Sequence, residues 1–148
     1  MRIAIGSDHR GFALKKVFSN HLLETGRQVL DFGCSSVDSV DYPDFALKVA
    51  QAVARRRANL GVLICSSGIG MSITANKVKG VRAALCFNPL MATRSRQHND
   101  ANVLCLGADY LSRRKALAIL DAWLEAGFEG GRHSRRLRKV RKQEQSWC

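Results

Sequence analysis

The 148-residue sequence predicts an α/β fold: a five-stranded parallel sheet with helices on both faces. Two observations carry that prediction. Five short apolar runs alternate with stretches whose apolar residues recur at helical spacing. One of the runs, Leu60-Gly61-Val62-Leu63-Ile64, is apolar throughout, as expected of a strand covered on both faces.

The elements follow in order. Arg2 to Gly6 forms a first strand, and Phe12 to Glu24 a helix with Leu14, Val17, Phe18 and Leu22 inward, closed by Gly26. Gln28 to Gly33 reads as the second strand. Pro43 suits the first turn of the next helix, with Asp44 near its positive end. Phe45, Val49, Ala52 and Val53 line that helix, and Arg55-Arg56-Arg57 fall in its last turn. Leu60 to Ile64, Val81 to Leu85 and Asn102 to Leu106 complete the strands. A last apolar stripe of Leu117, Leu120, Trp123 and Leu124 marks a helix over 116–126. With no repeat and no linker, residues 1–148 are expected to form one domain carrying a basic helix or tail from about Arg132.

Composition narrows the function. Hydrophobic residues make up 46% and only 2 prolines occur, so most of the chain should fold. No run has membrane-spanning length and no signal peptide is evident. Five cysteines (Cys34, Cys65, Cys86, Cys105, Cys148) without a C-x-x-C pair argue against disulfides or zinc and for a reducing, cytoplasmic setting. The net charge of +12 is concentrated in Arg132, Arg135, Arg136, Arg138, Lys139, Arg141 and Lys142. A solvated helix face is the first explanation, with nucleic acid or a small anionic substrate as alternatives.

Four segments hold the polar chemistry. Gly6-Ser7-Asp8-His9-Arg10-Gly11 follows the first strand, where Asp8 serves equally well as a helix cap or a functional acid. Cys65-Ser66-Ser67-Gly68-Ile69-Gly70-Met71 follows the most apolar strand. A glycine-rich turn opening a helix presents backbone N–H groups, which favour a thiolate at Cys65 and a developing oxyanion. Most lone cysteines are small buried hydrophobes, and Cys34, Cys86 and Cys105 fit that description. Three rival motifs fail on this loop: position 73 is Ile rather than Gly, no Gly-Lys-Ser/Thr occurs, and position 71 is Met where a phosphatase loop needs Arg. In Ser95-Arg96-Gln97-His98-Asn99-Asp100, His98 is by default structural, and can alternatively move protons on a sugar ring. In Gly130-Gly131-Arg132-His133-Ser134-Arg135-Arg136, Arg132 and Arg136 are four apart, on one face of a helix, and suit a phosphate.

Together G-S-D-H-x-G, D-Y-P, I-C-x-S-G-x-G, S-R-Q-H-N-D and E-G-G-R-H-x-x-R resemble the ribose-5-phosphate isomerase B family, in order and spacing, from Met1 to about Arg136. The wider family includes allose- and galactose-6-phosphate isomerases. The resemblance implies a three-layer α/β/α Rossmann-like sandwich that binds no nucleotide, metal or cofactor. It implies homodimers or tetramers with active sites completed across the subunit interface. It implies Cys65 as the base between C1 and C2, with Ser67 and the backbone of Ser66, Gly68, Ile69 and Gly70 stabilising the enediolate. His98, assisted by Asp8, would open the furanose ring. Asp8, His9, Arg132 and Arg136 would bind substrate, with His9 and the arginines on its phosphate, and Asn99 would hold the sugar. One departure stands out: where the family has an arginine after the last strand, this chain has Asp109. Ribose 5-phosphate is therefore the first expected substrate, a six-carbon sugar phosphate the second, and a non-enzymatic nucleic-acid-binding module a remote third.

Overall fold

The structure, a computed structural model, describes residues 1–146; Cys148 lies outside the described residues. Strands β1 (Arg2–Ser7), β2 (Gln28–Asp31), β3 (Leu60–Cys65), β4 (Ala83–Leu85) and β5 (Val103–Gly107) form one parallel sheet in the order β2-β1-β3-β5-β4. Helices α1 (Phe12–Glu24), α2 (Tyr42–Ala54), α3 (Ile69–Ala75), α4 (Pro89–Asn99), α5 (Arg113–Glu125) and α6 (Arg132–Gln145) alternate with or follow the strands. A short 3₁₀ turn, Ala108–Tyr110, links β5 to α5.

The alternation of side chains along each strand separates two cores. Ile3, Ile5, Val62, Ile64, Leu104 and Leu106 face α1, α4 and α5, where they pack with Phe18, Leu22, Ile119, Leu120 and Trp123. Ala4, Leu63, Cys65, Val103 and Cys105 face α2 and α3, where they meet Val49, Val53, Met71 and Ala75. Every residue of β3 is buried, which explains its unbroken apolar run. The three-layer expectation holds.

Element boundaries moved slightly. β2 stops at Asp31, two residues before the expected end, and β4 begins only at Ala83. The α5 helix starts at Arg113 because the Ser112 hydroxyl accepts from Lys115 N at 3.3 Å and caps it. Arg55, Arg56 and Arg57 lie just past α2 rather than in its last turn, and Arg57 rests over the Phe32 ring. Cys34, Cys86 and Cys105 are buried as expected. Burial pushes the Cys86 thiol up to about 11 and Cys105 higher still, so neither supplies a thiolate.

The topology places the site. α1 and α3 leave the adjacent strands β1 and β3 for opposite faces, and α3 and α5 leave β3 and β5 likewise. The carboxyl end of β3 is therefore flanked by a crevice on each side, the position where open parallel sheets bind ligands.

Candidate active site

Cys65 is the last residue of β3 and 5% exposed. The chain turns at Gly68 with φ 78°, a left-handed conformation that favours glycine. That turn brings Gly68 N–H to Cys65 Sγ at 3.1 Å, where the amide donates to the sulfur. A side chain at 68 is excluded on steric grounds too, since its Cβ would stand 2.8 Å from the Leu106 carbonyl carbon. Gly107 on the neighbouring strand allows the same approach from the other side: its Cβ would lie 2.7 Å from Ser67 O.

The amides of this turn divide into committed and uncommitted groups. Gly68 N–H serves Cys65, and Ile69 N–H donates to Ser67 Oγ at 3.2 Å. The ladder of α3 begins with Ser72 N–H to Gly68 C=O. Among the described residues, the Gly70 and Met71 amides, like those of Ser66 and Ser67, have no protein acceptor. Of the backbone donors expected from sequence, Ser66 and Gly70 remain, Met71 joins them, and Gly68 serves the Cys65 sulfur instead.

Asp8 and His9 stand beside this turn, after β1. Asp8 is buried, and its Oδ1 accepts from Gly11 N–H at 3.0 Å, closing the turn before α1, which itself has no side-chain cap. Its Oδ2 is left for other work. His9 Nδ1 accepts from Val40 N–H at 3.3 Å, which puts the ring proton of the neutral form on Nε2, as a donor.

Asp109 is where the departure resolves. Its Oδ2 accepts from Arg10 Nη2 at 2.8 Å and from Ser66 Oγ at 2.7 Å. These two bonds, Arg10's first, hold the carboxyl below the usual carboxylate range. The reversed charge therefore comes with its own counter-charge, and it ties Ser66 to the rim of the loop. Neither Arg10 nor this network was singled out in the sequence, because the partners are 99 residues apart.

His98, Asn99, Arg132 and Arg136 are elsewhere. α4 leaves the carboxyl end of β4 and its 11 residues rise about 16 Å, returning the chain to the amino end of β5. His98 and Asn99 end that helix. Of the four polar segments, these two therefore sit at the sheet's amino edge. Glu129 N–H donates to Gln97 O at 3.0 Å, so the start of α6, with Arg132 and Arg136 exposed, joins the same pole. Much of S-R-Q-H-N-D is scaffolding. Asp100, at φ 46°, pairs with Arg82 at 2.8 Å and Arg96 at 3.3 Å, and Arg96 also reaches Ala101 O at 2.6 Å. This clamp fixes the helix end that presents His98.

The chain matches the ribose/galactose isomerase family over residues 3–140. It belongs to that family. Ribose-5-phosphate isomerase B of Escherichia coli is 47% identical over 144 residues, 97% of either chain. The Clostridium thermocellum ribose-5-phosphate isomerase B structure superposes with a TM-score of 0.99 at 49% identity, covering 100% of both chains. The Mycoplasma genitalium ribose-5-phosphate isomerase B structure with bound ribulose-5-phosphate gives 0.95 at 45%, covering 97% of this chain and 96% of that one. Within the family's range of sugars, these relatives all carry the ribose phosphate name.

Proposed function

We propose that the chain interconverts ribose 5-phosphate and ribulose 5-phosphate by proton transfer through an enediolate, in a homodimer or larger assembly. The observation that carries this is Cys65, held by Gly68 N–H at 3.1 Å at the mouth of a turn whose Gly70 and Met71 amides have no protein acceptor. The relatives' names and the bound ribulose-5-phosphate of the Mycoplasma genitalium structure support the sugar.

The scheme needs a base, an oxyanion site, a ring opener and a phosphate site. In the open-chain aldose the Cys65 thiolate takes the C2 proton, and the electron pair moves through the carbonyl onto O1. The Gly70 and Met71 amides and the Ser67 hydroxyl meet the resulting enediolate. Cys65 then returns the proton to C1 while O2 becomes the carbonyl and its hydroxyl proton passes to O1. Ring opening comes first, and it requires one group at the ring oxygen and another at the C1 hydroxyl. Asp8 and His98 fill those two roles.

Those two residues lie at opposite ends of one sheet, so a single chain does not assemble them. A second copy, apposing its His98 pole to the first copy's Cys65 pole, does. An isologous pair contains two such sites. His9 with its Nε2 donor would then meet the phosphate from one subunit, and Arg132 and Arg136 of the partner subunit would meet it from the other. Asn99 would bind the sugar hydroxyls.

The six-carbon alternative rested on Asp109. With Arg10 neutralising that carboxylate, its motive is gone. The test is conversion of ribose 5-phosphate by purified protein beside Cys65→Ala. Activity that disappears in the variant supports the scheme; a variant that retains it removes Cys65 from the mechanism.

A further inference from the structure

His98, Glu129 and His133 are set against one another at the amino-edge pole, and the scheme above uses only the first. The His98 ring lies flat on the His133 ring, with centroids 4.3 Å apart and 7° between planes. Glu129 Oε2 is 3.7 Å from Nε2 of each. His133 is buried, whereas the His98 side chain remains 33% exposed. Arg94 Nη1 stands 3.4 Å from His98 Nε2, and Arg132 and Arg136 of α6 complete the charges around the pair.

Two chemistries suit such a trio. One is a divalent cation, because the three ligand atoms lie within 4.8 Å of one another. Parallel rings, however, send their lone pairs side by side rather than to a common point, and three guanidinium groups oppose a cation. The other is proton handling. An imidazole that must exchange a proton works best when its plane is fixed and a carboxylate sets its tautomer. At His98 the stack fixes the plane, and the Glu129 carboxylate faces Nε2 at 3.7 Å.

We propose that Glu129 and His133 are positioning residues for ring opening: His133 fixes the plane of the His98 imidazole and Glu129 supports the proton it exchanges with the sugar. This rests on the isomerase reading and deepens it. His133 is suited to the part. Burial, then His98, Arg132 and Arg136, push its pKa below the ordinary imidazole value, with Glu129 alone opposing. It is therefore neutral near pH 7 and leaves the carboxylate to His98.

The experiment separates ring opening from enolisation. Conversion of ribose 5-phosphate requires the furanose to open. Exchange of a C1 hydrogen of ribulose 5-phosphate with D₂O does not, because a ketose esterified at O5 has no furanose to open. Glu129→Gln keeps the shape and removes the charge; His133→Ala removes the stack. Conversion is expected to fall about 10- to 100-fold in each variant while C1 exchange stays within about two-fold of wild type. Glu129→Asp should recover part of the loss. Unchanged conversion in both variants overturns the proposal. Conversion and exchange falling by one factor also overturns it, since damage to fold or assembly would do that. Absence of both reactions in wild type removes the isomerase reading and this proposal with it.

Discussion

The two poles of the sheet are built in different ways. At the carboxyl edge, Asp8, Cys65 and Gly68 are buried, on strand ends and the tight turns that leave them. Their positions follow from backbone geometry. At the amino edge, His98, Asn99, Arg132 and Arg136 stand on helix ends, partly or fully exposed, and depend on side-chain clamps such as Asp100 with Arg82 and Arg96. In the proposed scheme the first pole does chemistry on a carbonyl, and the second recognises an anion and moves a proton. On the proposed scheme each pole holds part of the site, and that division suggests the most direct tests.

The largest effect belongs to the base. Cys65→Ala should lower kcat for ribose 5-phosphate by at least about 10³-fold, while substrate binding, read by calorimetry, persists. The same substitution should abolish C1 exchange from ribulose 5-phosphate. His98→Asn should lower conversion by about 10²-fold and spare exchange. A His98→Asn variant with full conversion would assign ring opening elsewhere.

These two variants also test the division itself. Each alone has no intact site, but a mixed dimer joins the unaltered Cys65 pole of one chain to the unaltered His98 pole of the other. After unfolding and refolding at equal amounts, half the dimers are mixed and each carries one intact site. About a quarter of wild-type activity should return. If the poles met within one chain, nothing would return.

The turn at Gly68 offers a smaller, geometric effect. Gly68→Ala forces a Cβ to within 2.6 Å of Leu85 Cδ1 at a backbone φ of 78°. It should cost about 1–3 kcal/mol of stability, read from the urea midpoint, and kcat should fall with it because the same turn aims the amide at Cys65.

The poles differ in legibility for the same reason that they differ in construction. Strands, glycine turns and the cysteine loop leave local signals: apolar runs, punctuation and a polar residue directly after a strand. The positions of Cys65 and Asp8 at strand ends were legible on those grounds, and the sheet with its two helical layers was too. His98 was not, because a histidine late in a polar helix looks structural without knowledge of where the helix ends in space. Only the family motifs marked it. Long-range pairs left no trace: Arg10 and Asp109 are local neighbours only after β1, β3 and β5 align. Glu129 and His133 left no trace either: Glu129 precedes α6, which begins at Arg132, and the positive-φ turn at Gly130 and Gly131, not helical spacing, brings the two together.

The smallest effect lies in that last pair and concerns stability rather than rate. The folded pKa of His133 is below the ordinary 6.5. Between those two values the unfolded chain binds the proton more readily, so stability should fall as pH drops through the window, and recover above it. Burial is the main cause, His98, Arg132 and Arg136 reinforce it, and Glu129 opposes it. Urea midpoints measured from pH 7.5 down to 5 should decline more steeply in wild type than in His133→Asn, which has no imidazole at that position to titrate. Equal slopes in the two proteins would mean that acid acts on other groups, and that the stacked ring is held by packing alone.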